Sequence, residues 1–404
     1  MAFQTALSGL NAANSNLSVT GNNIANSSTT GFKSSTAQFG DVYAVSFGGV
    51  ANTATGSGVR LEDVKQNFTQ GNIDFTNNNL DLAISGDGFF VLNDNGQFMY
   101  TRAGSFNVDR DGYVVNPLGQ RLQMYAVDPT TGAVSNFTPQ DLQLNLGSNP
   151  ANATTAASIN LNLDATSTVP TAVFDPAVPS SYNFSTTTTV YDSLGVTHQG
   201  SLYFVKTAAN AWTSYLYLDG NATGSTNVTF NPDGSLAGPL GPTNMTGAGW
   251  NPGNGSAVMN ITVDFTGTTQ YGATSAVNAL TQDGYTTGRL AGVSVDNAGI
   301  VYARYTNGQS QSLGAVAMGR FNNPNGLQQV GDTNWAQTFE SGDLLAGQAG
   351  SGTFGEIQSG ALEASNVDVA KQLVNMIIAQ RDFQANAKMI TTEDQVTQTI
   401  INIR

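Results

Sequence analysis

Residues 369–390 read VAKQLVNMIIAQRDFQANAKMI, and their spacing decides the fold. Val369, Leu373, Met376, Gln380, Phe383, Ala387 and Ile390 fall four and three residues apart, and Asp394, Thr397 and Ile401 continue the series. This is the period of about 3.5 residues shown by helices that wrap on partner helices. Lys371, Gln372, Arg381, Gln384 and Lys388 give the same stretch a wet side. At the opposite end of the chain, Phe3, Leu7, Leu10, Asn14, Leu17, Gly21 and Ile24 repeat the pattern. Two coiled-coil-like termini around a Gly-rich middle describe a building block rather than a catalyst. The side chains expected to carry self-assembly are Leu7, Leu10, Leu17, Ile24, Leu373, Met376, Ile377, Phe383, Ile390 and Ile401.

The N-terminal helix is polar outside its seam, where Asn, Ser and Thr are indifferent helix formers. Burying Leu7, Leu10, Leu17 and Ile24 falls short of the cost of ordering the whole segment. It is therefore expected to stay disordered until it meets partners.

Between the ends the signals are those of β-structure. Residues 31–70 read as an extended, glycine-dotted connector, with Ser46-Phe47-Gly48-Gly49 and Gly56-Ser57-Gly58-Val59. From Leu80 to Asp128, apolar runs such as Phe89-Phe90-Val91-Leu92 alternate with Asn93-Asp94-Asn95-Gly96, Asp109-Arg110-Asp111-Gly112 and Asn116-Pro117-Leu118-Gly119. These are hairpin turns with Gly where φ turns positive. Composition shifts near Asn149. Strands are expected at Thr186–Tyr191, Ser201–Val205, Trp212–Leu218 and Met259–Phe265, and a long looped region around Pro232 to Gly253. The expected fold class is mainly β with terminal α-helices, the two helices pairing as a coiled-coil-like layer. The expected domains are a helix over 1–30, the connector over 31–70, an outer β domain over 71–148 and 287–355, a second β domain inserted at 149–286, and a C-terminal helix over 356–404.

Composition excludes several functions. Net charge is −14, with 14 Lys and Arg against 28 Asp and Glu, the opposite of a nucleic-acid binder. Charged residues make up 10%, so the surface is wet but weakly charged, as suits many copies packed side by side. With no cysteine, disulfides, thiolate nucleophiles and zinc–thiolate sites are ruled out. Residues 1–20 lack the basic start and apolar core of a cleaved secretory signal. No stretch approaches 18 apolar residues, so no helix is expected to span a membrane.

Catalytic motifs fail on context. His198, the sole histidine, follows Asp192 and Ser193 across Asp192-Ser193-Leu194-Gly195, a turn between strands. It reads as a strand-surface histidine, not a triad member. Gly350-Ser351-Gly352-Thr353-Phe354-Gly355 matches GxGxxG, but a Gly-rich linker precedes it and no helix follows at once. Asn107, Asp109, Asp111 and Gly112 imitate an EF-hand start whose twelfth position would be Leu118, which cannot ligate calcium. No catalytic, metal or cofactor site is expected.

Several motifs resemble one family. Ala6-Leu7-Ser8-Gly9-Leu10, Asn22-Asn23-Ile24-Ala25-Asn26 and Thr30-Gly31-Phe32-Lys33 resemble the N-terminal signature of bacterial flagellar rod and hook axial proteins. Asp81–Phe90 and Tyr100–Phe106 resemble the family's first β domain, and Phe321–Leu327 its return. Leu362-Glu363-Ala364-Ser365-Asn366-Val367-Asp368-Val369 and Met376–Asn386 resemble its C-terminal helix. The connector and the large inserted domain are similar to those of hook-type members rather than rod-type ones. The resemblance implies a subunit exported without a cleaved signal through the flagellar type III apparatus. Such a subunit polymerises with itself into a short curved tube outside the cell, a universal joint between motor and filament. It implies a hook cap, a distal rod protein and a hook–filament junction protein as partners, no cofactor, no nucleic acid and no membrane insertion. A distal rod-type protein is one alternative. A secreted β-rich adhesin is another, supported only by the Thr- and Asn-rich inserted domain and by aromatics such as Trp212, Tyr215 and Tyr217.

Overall fold

The computed structural model describes residues 2–42, 56–128, 131–145, 147–247 and 249–402. Ser46-Phe47-Gly48-Gly49 lies outside the described residues. The chain divides into two compact units. The first is Met1–Asn145, Gly292–Arg304 and Ser310–Arg404; the second is Leu146–Ala291 with Tyr305–Gln309.

In the first unit, helix α1 spans Ala2–Ala25 and helix α2 spans Val369–Asn402, and the two pack on each other. α2 starts where Asp368 accepts the Lys371 backbone N–H at 3.1 Å, an N-cap that satisfies one of the free amides of the first turn. α1 stops where Asn23 binds the returning chain. Its Oδ1 accepts the Ser35 N–H at 2.9 Å and its Nδ2 donates to the Ser35 carbonyl at 2.8 Å. The turn that follows needs Gly31, whose φ is +70°. A Cβ there would lie 2.5 Å from the Ala103 backbone nitrogen.

The connector is more ordered than expected. Ser35–Asp41 and Val59–Gln66 pair antiparallel as a ribbon, with a bulge between Gln38 and Phe39, and both strands contact α1. The C-terminal helix begins later than expected, because residues 356–363 form strands. Glu356–Ser359 pairs with Leu82–Ser85, and Ala361–Glu363 pairs with Ile73–Phe75. The cause lies in alternation. Ile357, Ala361 and Glu363 are fully buried, which an extended chain with a positive-φ Gly360 achieves and a helix would not.

The outer β domain is assembled from both halves of the chain. Its sheet runs Leu290–Val295, Ile300–Tyr305, Ser310–Val316, Arg121–Val127, Phe89–Asp94, Gln97–Thr101, Asn334–Ala336 and Gln328–Gly331. Strands encoded after the insertion thus flank strands encoded before it on both sides. The hairpin between Phe89–Asp94 and Gln97–Thr101 turns at Asn95 and Gly96, with φ of 52° and 98°. Its core gathers Phe89, Val91, Tyr100, Tyr125, Phe321 and Trp335. Burial pushes the Tyr125 phenol up to about 12.

The second unit holds two five-stranded sheets. One is a meander of Phe184–Tyr191, Thr197–Ala208, Ala211–Leu218, Asn221–Phe230 and Leu236–Gly238. The other is built around Ala156–Asp164, which pairs parallel with Thr262–Asp264 and Thr269–Tyr271 and antiparallel with Ala276–Gln282. Their core includes Ile159, Leu161, Phe204, Trp212, Val263 and Phe265. The region expected to be looped carries short strands at Leu236–Gly238 and Thr243–Asn244.

Candidate functional site

The two helices meet along small and polar residues. Ala6, Gly9, Ala13, Asn16, Thr20 and Asn23 repeat at spacings of three and four; Ala6, Ala13, Thr20 and Asn23 are buried. Opposite them lie Gln372, Ala379 and Asn386. Ala379 is 1% exposed, Asn23 Nδ2 reaches Gln372 Oε1 at 3.5 Å, and a Cβ on Gly9 would fall 2.5 Å from Asn386 Oδ1. Small residues let helix backbones approach closely. The intramolecular seam is therefore one residue out of step with the stripe of large apolar residues.

That offset puts the large side chains at the seam's edges and on the outside. Leu7 is 41% exposed, Leu373 48%, Ile377 65% and Ile401 66%. Leu10, Leu17, Ile24, Met376, Phe383 and Ile390 are half-buried. Val374, Ile378, Met389, Val396 and Ile400 join them as exposed apolar residues on α2. Sequence reasoning passed over Ala6, Ala13, Thr20, Ala379 and Asn386. The signal was present, because small residues at the same spacing sit one position earlier.

The signature residues hold the two chain ends together. Lys33 and Glu363, separated by 330 positions, are both fully buried, and their Nζ and Oε1 are 2.6 Å apart. The same oxygen accepts the Gly71 N–H at 2.9 Å, Lys33 also donates to the Thr69 carbonyl, and Arg102 Nη1 lies 3.4 Å from Oε2. Burial lowers the Lys33 ammonium from its ordinary value and Arg102 pushes the same way, while Glu363 opposes both. Burial likewise lowers Arg102, against Glu363. Asn366 accepts the Ser34 N–H at 2.7 Å and donates to the Asn67 and Thr69 carbonyls. Phe32 is buried, and Ser365 accepts the Val367 N–H. Asn26 donates to the Asn22 carbonyl. Ser8 accepts the Val59 N–H, which ties α1 to the ribbon. Ala25 is exposed and Val367 half-buried.

His198 is not a surface histidine. Its side chain is 8% exposed, with Nδ1 2.6 Å from Asp219 and Nε2 3.4 Å from Asp192, and Trp250 packs edge-on against the ring. Burial would raise the Asp192 carboxyl, but Asn254, the Val196 and Leu194 N–H groups and His198 hold it at about 2. Ser193 Oγ accepts the Ala257 N–H. The cluster is a polar clamp on the meander. Among the described residues, no group of acidic, histidine or cysteine side chains forms a metal site, and no helix is long and apolar enough to cross a membrane.

Comparison with known proteins matches four segments of the chain. Residues 3–33 match the flagella basal body rod protein family, 83–168 the flagellar hook protein FlgE/F/G D1 domain, 162–285 the flagellar basal body protein FlaE D2 domain, and 358–403 the flagellar basal body rod FlgEFG protein C-terminal domain. The chain is 42% identical over 425 residues to the flagellar hook protein FlgE of Salmonella typhimurium, covering all of both. It belongs to the flagellar hook protein family. The hook protein of Escherichia coli is 42% identical over 424 residues, again covering both chains entirely, and that of Borreliella burgdorferi 31% over 435, covering 99% of this chain and 98% of that one. The crystal structure of Helicobacter pylori flagellar hook protein FlgE2 covers 72% of this chain and 100% of its own, with a TM-score of 0.54 and 13% identity, which shows a shared fold. This hook protein is a structural subunit of the flagellar hook and basal body, and neither the distal rod nor the adhesin alternative is favoured.

Proposed function

We propose that this hook subunit polymerises through the apolar rows of α1 and α2 that its own fold leaves uncovered. The observation that carries this is α2, a 34-residue helix on which Leu373, Val374, Ile377, Ile378, Ile400 and Ile401 are exposed while Ala379 is fully buried. Exposed apolar rows of this size mark interaction surfaces. Neighbouring copies of the same helices supply matching rows at the same spacing. The helices then form an inner tube, the β units form outer layers, and the polymer is a curved joint between motor and filament. On this reading Leu7, Leu10, Leu17, Ile24, Leu373, Met376, Ile377, Phe383, Ile390 and Ile401 are the packing residues. The cap, distal rod and junction proteins and the type III export apparatus are its partners, the tube lies outside the cell, and no side chain is catalytic.

Electron microscopy of concentrated Leu10→Asp and Ile377→Asp protein tests this. Each variant puts a charge where assembly must exclude water, at a cost of several kcal/mol. Tubes from wild type and none from either variant, with circular dichroism of the β units unchanged, are expected. Normal tubes from both would show that the apolar rows are not the contact.

A further inference from the structure

Among the described residues, Phe339 of the first unit is the most exposed large apolar side chain, at 101%. Its turn is fastened to the one that precedes Gln328–Gly331. Thr338 Oγ1 donates to the Gly326 carbonyl, Asn323 Nδ2 to the Glu340 carbonyl at 3.1 Å, and the Asn323 N–H to the Ser341 carbonyl at 3.3 Å. Ser341 is fully buried, and its Oγ donates to the Thr338 carbonyl at 2.8 Å. The two turns pack so closely that a Cβ on Gly326 would lie 2.5 Å from the Glu340 carbonyl carbon. A ring held uncovered on a rigid turn loses little freedom when it is bound, and aromatic side chains are enriched at interfaces.

A hollow lies at the other end of the same hairpin. Gln328–Gly331 and Asn334–Ala336 pair antiparallel, with Phe339 beyond their open end and Asp332-Thr333 as their turn. Asp332 and Thr333, with Thr29, Ala103, Pro117 and Leu118, line a hollow of about 390 Å³. Leu118 is 54% exposed and Pro117 is exposed beside it, so the apolar side of the hollow is open. The turn is strained, with φ of 49° at Asp332 and 56° at Thr333, a conformation in which a β-branched residue is an outlier. Strain of this kind gathers at binding sites. Strands of this length put roughly 15 Å between the ring and the hollow, so Phe339 cannot fill the hollow of its own chain.

We propose that in the polymer Phe339 of one copy enters this hollow on the next copy. The hollow has room for a phenyl ring, and its lining is uncharged apart from the exposed Asp332. A projection and a hollow at opposite ends of one hairpin make a heterologous contact, which repeats from copy to copy into rings or helical arrays and is what a tube requires. One aromatic ring covers about 150–250 Å², against about 800 Å² per partner in a stable interface. Phe339 is therefore an anchor within a larger contact, most of which the helices supply. Thr29 follows α1, which ends at Ala25, so the hollow continues the helix layer along the chain. The proposal rests on the self-assembly described above, so its test has one arm that does not need assembly.

In that arm, N-acetylphenylalaninamide is titrated into full-length monomer while the Leu118 methyl and Thr333 amide resonances are followed by NMR. A saturable shift of both is expected, and no shift would overturn the hollow as an aromatic site. In the second arm, Phe339→Cys and Leu118→Cys proteins are co-assembled with wild type and treated with a short bismaleimide, which the absence of native cysteine makes specific. Cross-linked dimer is expected from the mixture of both variants and none from either variant alone. In the third, light scattering gives the critical concentration for tube formation. Phe339→Ala should raise it about tenfold or more, with the monomer's thermal transition unchanged, because the ring is uncovered in its own chain. Tubes that yield no mixed dimer, or Phe339→Ala assembling at the wild-type concentration, would overturn the contact and leave the self-assembly reading standing. An NMR shift with no mixed dimer would leave a hollow for free aromatic groups only and overturn its filling by Phe339. Failure of wild type to form tubes under any condition would overturn the self-assembly reading and this contact with it.

Discussion

Removing the charge of Glu363 should unfold the first unit's chain-end junction. Its two oxygens receive Lys33 Nζ, the Gly71 N–H and Arg102 Nη1, and all three charged side chains are almost without solvent. Glu363→Gln keeps the volume and one acceptor oxygen. It also turns an amide N–H₂ towards two buried cations that no longer have a counter-charge. Breaking a buried ion pair from one side costs about 3–5 kcal/mol. For a unit of this size each kcal/mol lowers the midpoint by about 2–4 °C, so a fall of about 6–20 °C is expected in the first unit's transition. Differential scanning calorimetry should show that transition move while the second unit's stays in place. The triple variant Lys33→Met, Arg102→Leu, Glu363→Leu should recover much of the loss, since apolar residues of similar volume replace buried ion pairs at little cost. A Glu363→Gln protein within about 1 kcal/mol of wild type would refute the claim that these charges are desolvated and mutually dependent.

Gly9→Leu should separate α1 from α2, because even a Cβ at position 9 meets the Asn386 side chain; hydrogen exchange at Ala13 and Ala379 amides should accelerate about tenfold or more, and unchanged protection would misplace the seam. Since the wild-type seam buries few large apolar groups, amides of both helices should exchange faster in monomer than in tubes, and equal protection in the two states would contradict this. The second unit should lose stability in acid: Asp192 titrates at about 2 when folded, below the ordinary carboxylate, so its contribution is full above about pH 4 and is lost as pH falls from 4 to 2. Asp192→Asn should flatten that part of the acid transition, and an unaltered profile would remove Asp192 from the account.

Much of this architecture was legible in the chain. Heptad spacing located both helices, and Asn-, Asp- and Gly-containing turns located the hairpins of the outer domain. The contact between the two helices lies one residue from the stripe of large apolar side chains, because small side chains let the backbones approach. Within one subunit the close contact belongs to Ala6, Gly9, Ala13 and Ala379, and the larger side chains flank it. Ala156–Asp164 was hidden by its Thr- and Ala-rich surroundings, although Ala157, Ile159, Leu161 and Leu163 alternate as buried residues. The strand Asn221–Phe230 carries too few apolar residues to announce itself and is fixed by its neighbour in the sheet. His198 was judged by the turn beside it, whereas Asp219 and Trp250, distant in sequence, enclose it. The Lys33–Glu363 pair has no local sequence signal at all, because its partners lie 330 positions apart.

That separation bears on when a subunit becomes a subunit. Strand Ile73–Phe75 has its partner at Ala361–Glu363, Gly31 donates to the Glu363 carbonyl, and Ser34 is held by Asn366. A chain that emerges N-terminus first from any narrow passage carries the first members of these pairs into solution with nothing to pair with. The second unit, by contrast, has nearly all its strands between residues 146 and 291 and can close early. Contacts this remote in sequence form late in folding. The junction around Glu363 therefore closes only once residues 361–366 are present. A chain cut short between residues 310 and 363 would keep the second unit whole and leave Ile73–Phe75, Gly31 and Ser34 without their partners.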